Sequence, residues 1–76
     1  MNEINVENIL KLVKTMRTSE GIPQSDMAKR IGVSTSFYGM IERGNRTLSV
    51  EMLCKIANAF DCTAADFLEL VERQDY

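Results

Sequence analysis

Seven cations stand between residues 11 and 46: Lys11, Lys14, Arg17, Lys29, Arg30, Arg43 and Arg46. They face only Glu20, Asp26 and Glu42, so this stretch carries a formal charge of +4. Residues 1–10 carry −2. Residues 47–76 set Lys55 and Arg73 against six carboxylates, for −4. The net charge of −2 therefore conceals a basic middle between acidic ends. Lysine and arginine donors suit charge-assisted hydrogen bonds to phosphate oxygens. A field of this shape also orients the molecule, because the acidic end is repelled from a polyanion. Ordinary scatter of surface charge is the alternative. Catalysis is not expected: there is no histidine, hence no Cys–His or Ser–His pair, and no glycine-rich phosphate loop. Cys54 and Cys62 read as small apolar side chains rather than a disulfide framework. A redox pair is the alternative, with only Lys55 near to activate a thiol. Two thiols without histidine do not fill a zinc shell, so neither metal nor cofactor is expected.

Residues Gln24 to Ile41, QSDMAKRIGVSTSFYGMI, supply the frame for this chemistry. Met27 and Ile31 are four apart and share a helical face. Ala28 is small where a second helix must approach. Gly32 suits a turn that needs a positive φ. Val33 points back to the core, and Ser34 is placed to cap a second helix. Tyr38 and Ile41 face inward from it. Two short helices across a tight turn are the helix-turn-helix template for reading DNA. In such a unit Thr35, Ser36, Phe37 and Met40 project toward the major groove. Two hydroxyls discriminate weakly, whereas Phe37, Met40 and the Thr35 methyl can pack on thymine methyls. Few direct base contacts are expected, with the remaining specificity drawn from DNA shape. A guanine contact from Arg43 or Arg46 is the competing source, and packing beside the preceding helix is the competing position for Phe37. Gln24, opening the first helix of the unit, can donate to a phosphate. Arg43 and Arg46 can grip the backbone further along. Lys14 and Lys29 are weaker candidates that also read as solvated surface.

The whole chain reads as five helices in one domain, residues 1–76, with the motif core at 24–43. The first helix runs from about Asn5, its cap, to Ser19, with Gly21 turning the chain. Ile9, Val13 and Met16 face the core, while Leu10 and Leu12 lie off that stripe and leave apolar surface exposed. The second starts after Pro23, which fixes the entry but offers no capping oxygen. The third runs from Ser34 to about Arg43, and Gly44 stops it. Ser49 caps a fourth helix to about Phe60, with Val50, Leu53, Ile56, Ala57 and Phe60 inward. Thr63 and Asp66 form a capping-box variant opening a fifth with Phe67, Leu68, Leu70 and Val71. Helices four and five, at 49–72, serve core and dimerisation. No apolar run approaches the roughly 20 residues of a membrane span, and no signal segment opens the chain. A cytoplasmic protein without membrane contact or a separate ligand domain is the expectation.

The stretch from about Ile9 to Leu68 resembles the Cro/CI-type (XRE) helix-turn-helix regulators. GIPQSDMAKRIGVS is similar to the first half of the family motif, and IERGNRTLSVEMLCKIANAFDCTAADFL to the second half and following helices. Phage repressors and restriction-modification controller proteins belong to that family. The resemblance implies an all-α, lambda-repressor-like five-helix domain that binds a palindromic double-stranded operator as a homodimer, most simply as a repressor or autoregulator. It also implies an ion pair between Arg17 and Glu42, either shielded or solvent-exposed. The size of a single module argues separately for two copies. Leu70 and Val71 are expected in their contact, unless they complete the monomer core. An antitoxin-like or anti-repressor protein-interaction module is the alternative function, served by a protein partner, the acidic C-terminus and exposed leucines of the first helix. Four positions depart from the family pattern. Pro23 replaces a capping serine, Tyr38 an isoleucine or valine, Gly39 a frequent serine, and Met40 a long polar residue that often reaches a base.

Overall fold

The computed structural model describes residues 2–74. Five helices follow in order: α1 (Val6–Ser19), α2 (Gln24–Ile31), α3 (Thr35–Glu42), α4 (Val50–Ala59) and α5 (Ala64–Arg73). No strand occurs among the described residues. The expected all-α, five-helix architecture is the one found.

Four helix starts share one device. An N-cap oxygen accepts the amide three residues on, satisfying a donor that has no intrahelical partner. Asn5 accepts from Asn8 at 2.8 Å, Ser34 from Phe37 at 3.1 Å, Ser49 from Met52 at 3.0 Å and Thr63 from Asp66 at 3.0 Å. The exception is α2. Pro23, with φ −69°, provides no side-chain cap, and its carbonyl accepts from the amides of Asp26 and Met27, both at 3.1 Å. Where α2 ends, Gly32 adopts φ +77° and the Val33 amide turns back to the Ala28 carbonyl at 3.0 Å. That reversal throws the chain directly into α3. A similar closure follows α4, with the Cys62 amide on the Ala57 carbonyl at 3.0 Å, but there Asp61 takes the left-handed position at φ +59°.

Every helix contributes a fully buried side chain to one core: Val13, Met27, Tyr38, Ile56, and both Phe67 and Val71. Phe60 and Phe67 stack with centroids 6.2 Å apart. Burial of each large apolar side chain stabilises by roughly 1.5–3 kcal/mol. Two expectations are corrected here. Leu10 and Leu12 are buried, not exposed. Because α1 packs against both α3 and α5, its buried face widens to roughly 160° at 3.6 residues per turn. Val50, expected inward, is 77% exposed. It holds the first position of α4, ahead of Met52 and Leu53, which pack against the core.

Ahead of α1, the Asn2 amide donates to the Glu72 carbonyl at 2.8 Å. This contact draws the acidic N-terminal segment against the acidic end of α5. No helix among the described residues is long and apolar enough to cross a membrane.

Candidate nucleic-acid interface

The seam between α2 and α3 is held by a buried polar cluster centred on Glu42. Its carboxylate accepts two hydrogen bonds from Arg17, Nε to Oε2 at 2.9 Å and Nη2 to Oε1 at 2.8 Å. The Tyr38 hydroxyl donates to Oε2 at 2.5 Å, and Gln24 Nε2 donates to Oε1 at 3.3 Å. The remaining Arg17 nitrogen, Nη1, donates to the Ile22 carbonyl at 2.8 Å. Side-chain exposure is 10% for Arg17 and 3% for Glu42, so the pair is shielded. Burial opposes the Glu42 charge, but hydrogen bonds from Arg17, Tyr38 and Gln24 outweigh it and hold the carboxyl below its usual range. The Glu42 hydrogen bond raises Arg17. Burial, then the carboxylate partner, pushes the Tyr38 phenol far above its ordinary value.

Outside this cluster, α3 exposes Thr35 and Ser36 and leaves Phe37 and Met40 half-buried. Ser34 fixes this end of the helix by capping the Phe37 amide. The Phe37 ring lies beneath the Arg46 guanidinium, whose carbon is 4.9 Å from the ring centroid. The Arg46 side chain, from the loop after α3, thus reaches the third residue of that helix. Arg43 and Arg46, together with Lys14 on α1 and Lys29 on α2, are exposed. Gln24 is half-buried, tethered to Glu42 at the start of α2. Beside it, Gly39 is buried in the middle of α3. A groove of about 380 Å³ runs past Val6, Leu10, Lys14 and Arg43, joining α1 to the end of α3.

A family model for the helix-turn-helix matches residues 13–67, from the middle of α1 into α5. The chain belongs to the helix-turn-helix family. Within it, the chain is 27% identical over 74 residues to control protein C.MunI from Mycoplasma sp., covering 97% of this chain and 100% of that protein. It is 35% identical over 52 residues to the uncharacterized HTH-type transcriptional regulator YazB of Bacillus subtilis (strain 168), covering 68% of this chain and 75% of that one. The Cro/CI-type resemblance stated from the motif agrees with both, and DNA binding in transcription regulation is the family's activity.

Of the residues singled out from sequence, Arg17 and Glu42 meet directly. Gln24 joins them, although it was assigned to phosphate alone. Phe37 and Arg46, assigned to bases and to phosphate, touch one another. Leu70 is half-buried at the surface of α5. Val71 is fully buried within the single chain, where it completes the core, the alternative stated for it, one residue around the helix from Leu70. Sequence reasoning missed the role of the Tyr38 hydroxyl. The signal was present in the four-residue spacing of Tyr38 and Glu42, which puts both on one helical face, and in the need of a buried hydroxyl for a partner.

Proposed function

We propose that this helix-turn-helix protein is a sequence-specific repressor or autoregulator that binds a palindromic double-stranded operator as a homodimer. The observation that carries the reading is the coincidence of charge and motif. The exposed cations Lys14, Lys29, Arg43 and Arg46 lie within or beside the two-helix unit whose second helix exposes Thr35 and Ser36. Eight of the eleven carboxylates lie outside residues 11–46, and Asn2 is hydrogen-bonded to the Glu72 carbonyl. Similarity to a control protein and to a transcriptional regulator supports the same reading. Thr35, Ser36, Phe37 and Met40 contact bases. Gln24, Arg43 and Arg46 bind phosphates, with Lys14 and Lys29 adding charge.

Two copies are needed because one module offers only about 600–1,000 Å² to DNA. Half-sites then lie about one helical turn apart. Leu70, with other partly exposed apolar residues of α4 and α5, forms the contact between copies and leaves the basic face free. The rival reading, a protein-interaction module, drew on the acidic C-terminus and on exposed leucines in α1, and those leucines are buried.

A gel-shift assay against DNA upstream of the protein's own gene tests the function. Specific retention supports it, and no binding there or to any selected sequence at moderate salt refutes it. Sedimentation tests the dimer: a monomer at tens of micromolar, free and on DNA, excludes it.

A further inference from the structure

Gly39 stands in the middle of α3, where glycine weakens a helix, and it is buried rather than in a turn. Its backbone is ordinary helix, so no unusual dihedral requires glycine there. What requires it is space. A Cβ at this position would lie 3.0 Å from Arg43 Nη1, 3.8 Å from Arg43 Cζ and 3.4 Å from Gln24 Oε1. The bare backbone of α3 thus admits two side chains from different elements into one slot. Gln24 comes from the first residue of α2, and Arg43 folds back from the C-cap of α3.

Each is prepared for an outside partner. Gln24 Nε2 spends one N–H on Glu42 and retains a second. Arg43 is exposed, and its guanidinium has no hydrogen-bond or ion-pair partner among the described residues. We propose that Gly39 is a positioning residue for DNA binding: its missing side chain seats the Arg43 guanidinium beside the Gln24 amide, so that both converge on the same phosphate of the DNA backbone. This inference rests on the DNA-binding reading above and adds how two of its contacts are joined. An Arg43 displaced from the slot would meet the backbone as a mobile point charge rather than as one half of a fixed pair.

The substitution that tests this has opposite effects on folding and on binding. In Gly39→Ala the new methyl meets only the ends of two flexible side chains, which can swing aside without moving the backbone. Alanine is also the better helix former. The urea midpoint should therefore rise. Affinity for the selected operator duplex should fall about tenfold per subunit, the worth of one charge-assisted hydrogen bond. The salt slope should flatten by up to about 0.9 per subunit. A double-mutant cycle isolates the cause: in an Arg43→Ala background, Gly39→Ala should cost no further affinity.

A synthetic operator carrying one neutral methylphosphonate at a time gives the geometry. A single phosphate should be sensitive to both Gln24→Ala and Arg43→Ala, and its neutralisation should abolish the effect of Gly39→Ala. Gly39→Ala protein that binds like wild type, or a loss that persists undiminished without Arg43, overturns the inference while leaving DNA binding intact. Wild-type protein that binds no duplex overturns the reading beneath it.

Discussion

Glu42 accepts from three different side chains, and its removal takes the carboxylate partner from the buried donors of Arg17 and Tyr38. Glu42→Ala is expected to lose about 3–5 kcal/mol in urea denaturation, since the Arg17 charge is left uncompensated. Replacing Arg17 and Glu42 together by apolar residues should be milder; a loss below about 1 kcal/mol for Glu42→Ala would contradict the shielding. Tyr38→Phe removes one donor to a carboxylate and should cost about 2 kcal/mol. The two shifted groups act at opposite ends of the pH scale. The Glu42 pKa is lowered on folding. Its stabilisation is therefore complete above the unfolded value of about 4.3 and is lost as pH falls through the folded value. The Tyr38 pKa is raised, so folding favours the neutral phenol. Its contribution is complete below about pH 10 and falls as pH climbs beyond it, because only the unfolded chain then releases the proton. Unfolding curves of Tyr38→Phe should lack that part of the alkaline decline.

At the scale of elements, α3 is short, and its start decides how Thr35 and Ser36 are presented. Ser34→Ala removes the cap on the Phe37 amide and should cost about 1 kcal/mol, with a loss of operator affinity as the first turn frays. Replacing operator thymines by uracil tests apolar reading by α3, because only the methyl is removed. Undiminished binding, combined with lost base preference in Arg46→Ala, would assign the reading to Arg46, which lies stacked on Phe37. The turns offer a separate check. Asp61 occupies a left-handed position that costs side chains up to about 1–2 kcal/mol. Asp61→Gly should raise the urea midpoint modestly, and a lowered midpoint would show that the carboxylate itself stabilises the turn.

For the whole molecule, charge and not size governs the partner. On the proposed reading the basic helix pair faces DNA and the acidic termini turn away from it, and binding should be strongly salt-dependent. Each phosphate neutralised contributes about −0.9 to the slope of log affinity against log salt. A dimer using Lys14, Lys29, Arg43 and Arg46 in both copies would approach a slope of about −7. A slope shallower than about −3 would mean that the lysines are solvated surface. Leu70→Glu should shift sedimentation toward monomer while leaving the fold intact, since Leu70 is only half-buried. An unchanged dimer would move the contact elsewhere.

The five helices are legible along the chain, because each boundary depends on local chemistry: an oxygen that caps, a proline that blocks, a glycine that reverses the chain. The helix-turn-helix is legible as well, since Met27, Ala28, Ile31, Gly32, Ser34 and Ile41 constrain one another over 15 residues. The sequence also contained the segregation of charge. What lies between elements depends on how the helices pack. Leu10 and Leu12 are buried because α1 meets two neighbours at once, which no single helical stripe reveals. Val71 is sealed and Val50 exposed because of where α5 packs and where α4 begins. Gly39 reads in sequence as a weak helix residue that lacks the family's serine. In the fold its missing Cβ is a slot shared by Gln24 and Arg43, residues 19 positions apart that only packing of α2 on α3 brings together.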